Sequence, residues 1–467
     1  MRLLSCLKKY KNNTALISQN KHISFTDLEN YSNGLAKNFE KENLMFLICE
    51  NNIESILFYL SSLKKSCALV LLEKNITSTN LNNLIAAYKP RYIFLNKKNN
   101  YNLNKFKKKK IYMNYILIEN IKKIKIKINK DLKVLISTSG TTGNPKYVKL
   151  TKQNIDSNII SILKFLKISK KDTTITTLPM NYVYGLSIIN THLFTGAKIV
   201  LNDYSVLDKK FWSSLIHNKV TNINGVPYLY EILDKINFLK KDLSSIRFFT
   251  QAGGKINKKI QKKLINFCKE NKKKIFFMYG SAEATARMGY LSWRYARKKI
   301  GSIGKAVYGG KFWLEDKNKK KIKKDKKIGE LIYSGKNVFS GYAKSCDDLH
   351  ENNNCATLRT GDYAKRDKDG FYYLIGRSDK FIKIQGNRLN LEDIEIYTSS
   401  FGIKSVCKLN KKNKITIFVE KKVDEKMVLQ KVKNKITIHP SNFLIKKITK
   451  FPINKNLKIS YNHKIFN

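Results

Sequence analysis

Along the first hundred residues the hydrophobic and polar positions fall into two rhythms. Short continuous apolar runs at Leu44–Glu50, Cys67–Glu73 and Arg91–Asn96 read as strands. Between them, helical spacing predicts helices over Phe25–Lys41, with Thr26 as N-cap, and over Ile53–Lys65. Fully apolar strands alternating with helices are the pattern of a parallel sheet covered on both faces. The rhythm resumes at Lys133–Gly140, around Thr174–Met180, at Ala197–Asn202 and at Lys274–Gly280. The lysine-rich stretch 103–130 reads as a surface excursion. From Gly329 onward the chain turns to short strands and turns, with a boundary at Gly376–Lys380. The predicted fold class is α/β: a large N-terminal domain (1–376) of parallel-rich sheets layered with helices, then a small α+β domain (377–467).

Composition narrows the class. The chain has 467 residues and is 42% hydrophobic, enough for a large core and too much for a disordered basic tail. Lys and Arg number 91 against 35 Asp and Glu, so 91 − 35 gives a net charge of +56. The lysines are spread over many segments, such as 105–110, 121–130 and 317–327, and asparagine and isoleucine are abundant too. That combination is what AT-rich codons write onto solvated faces. An electrostatic contribution to binding ATP or an acidic carrier protein stays open. No zinc-finger spacing, basic zipper or RNA-binding aromatic strand is present, so nucleic acid is not the expected partner. No apolar run approaches the ~18 residues of a membrane span, and the N-terminus lacks the apolar core of a secretory signal. Seven cysteines without a CxxC pair read as free thiols of a cytoplasmic protein. Cys346, His350 and Cys355 are too loosely spaced for a zinc site.

The sharpest local feature is Ser137-Thr138-Ser139-Gly140-Thr141-Thr142-Gly143-Asn144-Pro145-Lys146, directly after an apolar strand. Glycines let backbone approach phosphate oxygens, hydroxyls and N–H groups donate to them, and the lysine adds a cation. It is neither a Walker A loop, since Tyr147 follows Lys146, nor GxGxxG. This run resembles the phosphate loop of the adenylate-forming (AMP-binding) superfamily: acyl-CoA synthetases, peptide-synthetase adenylation domains and luciferases. Further matches follow in the family's order: Leu178–Gly185, Gln251–Gly254, Tyr279–Glu283, Gly329 to Tyr342, Thr360–Asp362, Gly376–Lys380, Gly386–Arg388 and Pro452–Lys458. The resemblance spans nearly the whole chain.

It implies ATP with Mg²⁺, a carboxylic acid, an acyl-AMP intermediate, and transfer to CoA or to a phosphopantetheine arm. Thr138, Ser139, Gly140, Thr141, Thr142, Gly143 and Lys146 are then expected at the β- and γ-phosphates. Glu283 is expected to hold the metal, Gly253, Gly254, Tyr279, Gly280 and Ser281 to line the adenine and α-phosphate, and Asp362 and Arg377 to meet the ribose. Lys458 is the candidate catalytic lysine, with Lys455 as a competitor because Leu457 replaces the family's glycine. Asp379 or Lys380 is the expected hinge of a mobile small domain, and Arg388 faces the thiol side. Other departures are Ala282, where the family carries threonine and for which Ser281 or Thr285 could substitute, Asn181-Tyr182 in the acid-pocket wall, and Tyr147 in place of glycine.

Residues 178–196 contain no carboxylate to hold an α-ammonium. A buried unpaired ammonium is costly, which favours a plain carboxylic acid over an amino acid. Tyr182, Tyr184, Val226, Tyr228 and Gln251 suggest an apolar pocket with hydroxyl donors. The expected activity is an ATP-dependent acid–thiol ligase. An amino-acid-activating enzyme that loads a carrier protein and a catalytically lapsed nucleotide-binding homologue are the competing readings.

Overall fold

The computed structural model describes residues 2–19, 21–137, 146–352, 356–377, 381–384, 387–410, 414–433, 440–453, 459–461 and 463–466. Among them, the apolar strand Leu44–Cys49 is buried at every position. It pairs in parallel with Ala68–Glu73 and Tyr92–Asn96 at the centre of an eight-stranded sheet. A nine-stranded sheet has a parallel centre of Thr173–Ile175, Asn222–Gly225, Phe248–Gln251 and Lys274–Tyr279. Antiparallel strands close both edges of each sheet. The α/β class with parallel-rich sheets is thus the observed one.

Two helices lie between these sheets. Ile53–Lys64 is buried from Ile53 through Leu63, and Val183–Thr195 from Val183 through Leu193. A helix that is apolar all round needs cover all round, and the two sheets supply it. Their polar positions pair with each other: the Tyr59 hydroxyl donates to Asn190 Oδ1 at 3.0 Å. Gly196 ends the second helix at φ +74°, a left-handed cap that an L side chain adopts poorly.

Two expectations are corrected. The helix predicted over Phe25–Lys41 runs Phe25–Ala36 and is capped by Ser24, not Thr26. Ser24 Oγ accepts from Asp27 N–H at 3.0 Å while the Asp27 carboxylate accepts the Ser24 N–H at 3.0 Å, a closed capping box that starts before the Thr26 expected from sequence. The stretch 103–130 is no mere excursion. Phe106–Tyr112 and Tyr115–Asn120 form an antiparallel hairpin at the sheet edge. Only its inner strand is buried; the outer one exposes Lys107–Ile111, and charge on an edge strand discourages strand addition.

A four-stranded antiparallel sheet follows: Gly310–Glu315, Ile328–Gly335, Thr357–Arg366 and Tyr372–Arg377. Beyond it come a hairpin, Phe381–Ile384 with Asn387–Asn390, and a three-stranded sheet, Ser405–Leu409, Ile415–Glu420 and Phe443–Ile448. With the helices Leu391–Ser400 and Glu425–Lys433, these elements bury a cluster of their own around Ile394, Cys407, Ile417 and Val428.

Candidate active site

The parallel register sets the first wall. Gly225 lies beside Gln251, and Gln251 beside Phe277, so two neighbouring strands end at one level and the third runs two residues past it, to Tyr279. Their next residues are Val226, the turn Ala252–Gly254, and Tyr279 with Gly280. Ligands of open α/β sheets bind at such carboxyl ends. Gly253 takes φ +88°, and a Cβ on Gly254 would sit 3.2 Å from Pro227. The buried Gln251 amide donates to Gly254 O at 2.9 Å, so this side chain, read as pocket lining, also pins the turn.

After Tyr279 the chain doubles back. A Cβ on Gly280 would lie 1.7 Å from Ala286 O, so only glycine fits. Thr285 and Ala286 both take positive φ, 54° and 115°, and strain of this kind persists only where surroundings impose it. Asn337 imposes it here. Its Nδ2 donates to Ala284 O and Arg287 O, both at 2.8 Å; Thr285 Oγ1 donates to Asn337 O at 2.7 Å; the Tyr333 hydroxyl holds Asn337 Oδ1 at 2.7 Å. Thr285 is therefore committed to Asn337, which leaves Ser281, without a side-chain cap bond, as the hydroxyl nearest Ala282 in the chain.

The nucleotide-side candidates converge on this loop. The Tyr279 hydroxyl donates to Asp362 Oδ2, and Asp362 lies opposite Arg377 in the antiparallel ladder. The Tyr342 hydroxyl donates to Glu283 Oε1 at 2.9 Å, and Lys146 Nζ stands 4.2 Å above the Tyr342 ring. Burial pushes both phenols well up, and the Arg377 cation opposes that at each, which ties the two groups together. Tyr147 is accommodated in the core: its ring meets Tyr88 edge-on at 5.6 Å, and the Tyr88 hydroxyl donates to Ala343 O at 2.8 Å. A lone carboxylate such as Glu283 is a hard oxygen donor suited to Mg²⁺ that keeps phosphate and water ligands. Among the described residues no group of three or more His, Cys, Asp or Glu gathers as a metal site, and the six described cysteines are free and buried.

On the acid side Val226 is fully buried and begins the helix Pro227–Lys235. Tyr182 begins the buried helix Val183–Thr195, its ring 6.3 Å from that of Tyr184. The Tyr184 hydroxyl shares a 2.6 Å hydrogen bond with Thr250 Oγ1, which donates to Asn224 Oδ1 at 2.5 Å. Arg388 pairs with Lys383 in its hairpin. Thr138, Ser139, Gly140, Thr141, Thr142, Gly143, Asp379, Lys380, Lys455 and Lys458 lie outside the described residues.

Residues 5–343 match the AMP-binding enzyme family. The chain belongs to that family. A 2-succinylbenzoate–CoA ligase of Bacillus mycoides (strain KBAB4) is 28% identical over 267 residues, 56% of this chain and 53% of that protein. One from Bacillus pumilus (strain SAFR-032) is 27% identical over 282 residues, 59% and 55% of the two chains. The chain thus matches about half the length of these relatives. Among solved structures, o-succinylbenzoate CoA synthetase of Bacillus subtilis with its acyl-adenylate superposes with TM-score 0.79 at 19% identity, over 99% of this chain and 97% of that one. ATP-bound MatB of Rhodopseudomonas palustris gives 0.79 at 17%, over 100% and 99%. This AMP-binding family member therefore carries the fold across its full length, beyond the residues 5–343 that the family match covers. Among its described residues no helix is long and apolar enough to cross a membrane.

Three residues of the family member's site were not singled out from sequence: Asn337, Tyr342 as the partner of Glu283, and Arg287. Tyr342 closes the Gly329–Tyr342 match without revealing its partner, and Arg287 carried a signal of its own. The chain has ten arginines among its 91 basic residues, and in a sequence drifted toward lysine an arginine inside the apolar run Ala286–Leu291 stands out.

Proposed function

We propose that this protein is an ATP-dependent carboxylic acid–CoA ligase. A carboxylate oxygen attacks the α-phosphorus of ATP, pyrophosphate leaves, and CoA sulfur then displaces AMP from the acyl-AMP. The observation that carries the reading is the convergence of Lys146, Glu283, Tyr279, Asp362 and Arg377 around one loop in a member of the AMP-binding family. Asp362 accepts the ribose hydroxyls, Arg377 adds a cation beside them, and Tyr279 borders the adenine with Gly253 and Gly254. Lys146, with Thr138 to Gly143, neutralises the β- and γ-phosphates, where negative charge must be met for pyrophosphate to leave. Glu283 would hold Mg²⁺, which supplies further charge neutralisation at the phosphates. Ser281 stands in for the hydroxyl absent at Ala282.

CoA is the proposed acceptor because the curated relatives are CoA ligases; a carrier-protein arm would use the same thiol chemistry. Residues 377–467 form the small domain, Asp379 or Lys380 its hinge, Lys458 the lysine that bridges carboxylate and α-phosphate, and Arg388 a thiol-side contact. A plain acid is favoured over an amino acid because residues 178–196 carry no carboxylate to hold an ammonium. The cytoplasm is the proposed compartment.

Acid-dependent ATP–pyrophosphate exchange tests this. Exchange with carboxylic acids, followed by CoA thioester formation, is expected. Exchange restricted to amino acids would transfer the assignment to the carrier-loading reading, and ATP binding without exchange across a broad panel would mark a lapsed enzyme. Lys458→Ala is expected to abolish exchange while thioester formation from supplied acyl-AMP persists; the same loss in Lys455→Ala alone moves the role there.

A further inference from the structure

The last ninety residues meet the rest of the chain at the helix that follows the acid-side wall. Lys404, one position before the strand Ser405–Leu409, holds its ammonium 4.9 Å from the Tyr228 ring centroid. Tyr228 lies on the helix Pro227–Lys235, and Glu231, three positions along, shares its face. A second contact across the same seam is the hydrogen bond from Asn257 Nδ2 to Ser399 Oγ at 3.5 Å. Lys404 and Glu231 are both half-buried. Burial pulls the Lys404 ammonium down and pushes the Glu231 carboxyl up, and each opposes that shift in the other. Glu420, from the same sheet as Lys404, also supports the ammonium, and Lys235 works against it.

The same ammonium reaches the root of the segment that holds both candidate lysines. It lies 5.5 Å from the ring of Phe451, which is 3% exposed and packs with Val406, Phe418 and Phe466. Just beyond Phe451, the Ser460 N–H donates to Pro452 O at 2.8 Å, and Ile453 pairs with Ile459 in an antiparallel bridge. The segment 454–458, with Lys455 and Lys458 in it, therefore starts and ends close to Phe451. On the other side of the seam, Tyr228 follows Val226 of the acid-side wall by two positions. One ammonium between two rings thus ties the acid-side helix to the base of the lysine segment. Both rings attract the cation, more strongly as it is desolvated. The seam joins its parts through a cation, a carboxylate and an amide–hydroxyl bond, and polar seams of this kind let domains come apart.

We propose that Lys404 is a positioning residue for the acyl-AMP-forming half-reaction: it pins the small domain to the face of Tyr228 and Glu231, so that the lysine segment rooted at Phe451 is held at the acid-side wall. This rests on the ligase reading above. Lys404 takes no part in the chemistry and acts only through where it holds Phe451 and the residues beyond. It serves whichever of Lys455 and Lys458 does the work, since both lie in the one segment. Thioester formation from acyl-AMP comes after that lysine has acted, so it does not depend on the pin.

The test uses the full-length protein and reads the two half-reactions apart. Lys404→Ala should lower kcat of acid-dependent ATP–pyrophosphate exchange by at least about tenfold, while thioester formation from supplied acyl-AMP changes by less than about threefold. Lys404→Arg keeps a cation that stacks on aromatic rings and should hold exchange within about threefold of wild type. Glu231→Gln should lower exchange by about threefold and again spare the thioester step. Tryptic cleavage between the two domains reads docking without turnover. It should run at least about fivefold faster in Lys404→Ala and at the wild-type rate in Lys404→Arg. That cleavage pattern, with no exchange by the wild-type protein on any acid, upholds the pin and removes the ligase reading. Equal loss of both half-reactions in Lys404→Ala, or exchange and cleavage both within about twofold of wild type, overturns the pin and leaves the ligase reading intact.

Discussion

On the acid side, Arg287 is 3% exposed, and Tyr184 and His192 are each 1% exposed, enclosed by a helix and a sheet whose polar atoms are already bonded to one another. On the nucleotide side, Tyr342 is 36% exposed and donates its hydroxyl to Glu283, while Lys146 rests on its ring. The first wall is built in advance. The second holds its charges in contacts that the proposed ATP and metal would have to replace. The difference follows from chemistry: a triphosphate and its cation bring strong interactions of their own, so a loose cradle suffices, whereas an organic acid offers few groups and must be recognised by dipoles already in position.

Four measurements break or sharpen that contrast. Glu283→Gln keeps the Tyr342 contact geometry but removes the charge offered to a metal; kcat is expected to fall about 100- to 1000-fold, with Mg²⁺ titration shifted to higher concentration. A loss confined to acid KM would contradict the nucleotide-side assignment. Second, the neutral His192 makes the acid-side wall sensitive to acid. Its folded value, about 4, lies below the ordinary 6.5, so the unfolded chain binds more protons in this interval. Its contribution is intact above pH 6.5 and is lost as pH falls toward 4, by on the order of 3 kcal/mol. Urea titrations across that window should show the decline, and His192→Asn should flatten it. Asp172 and Arg247, which face the ring from neighbouring elements, act in opposite senses and remain in the variant.

Third, Asn337→Ala removes three side-chain hydrogen bonds, two of them to the strained loop, and should cost about 2 kcal/mol, read as a lower denaturant midpoint. Since the same loop carries Glu283, the exchange rate should decline with it. Fourth, Tyr342→Phe keeps the ring under Lys146 and deletes only the bond to Glu283. Its effect on kcat should stay within about fivefold, near 1 kcal/mol, because a metal on Glu283 would compete with this contact. A loss as large as that of Glu283→Gln would mean that Tyr342 acts in the bound state.

Ordered motifs already announced much of this in the linear chain. Each carries chemistry that depends on local geometry: glycines where backbone must turn, as at Gly253 and Gly280, and a carboxylate or lysine at a fixed offset from them. The buried strand Leu44–Cys49 and helix Ile53–Lys64 were legible for a related reason, since a segment covered on all sides must be apolar on all sides. The hairpin over 106–120 was hidden because its outer strand is written almost entirely in lysine, so apolar alternation survives on one strand only. The cap at Ser24 was missed because Thr26 and Asp27 compete for the same local role, and only hydrogen bonds distinguish them.

The sequence alone picked out the run Ser137–Lys146, Glu283 and Asp362 as candidates for the phosphate, metal and ribose roles, because short ordered motifs there resemble those of the family. Folding decided which long-range neighbours those residues would meet. Asn337 reaches a loop fifty residues earlier in the chain, Asp362 meets Tyr279 across 83 positions, and Arg287 enters a cavity formed with residues more than sixty positions away. Whether an arginine is a solvated surface charge or a buried cation depends on what excludes water around it, and that is a property of packed sheets and helices rather than of the string that encodes them.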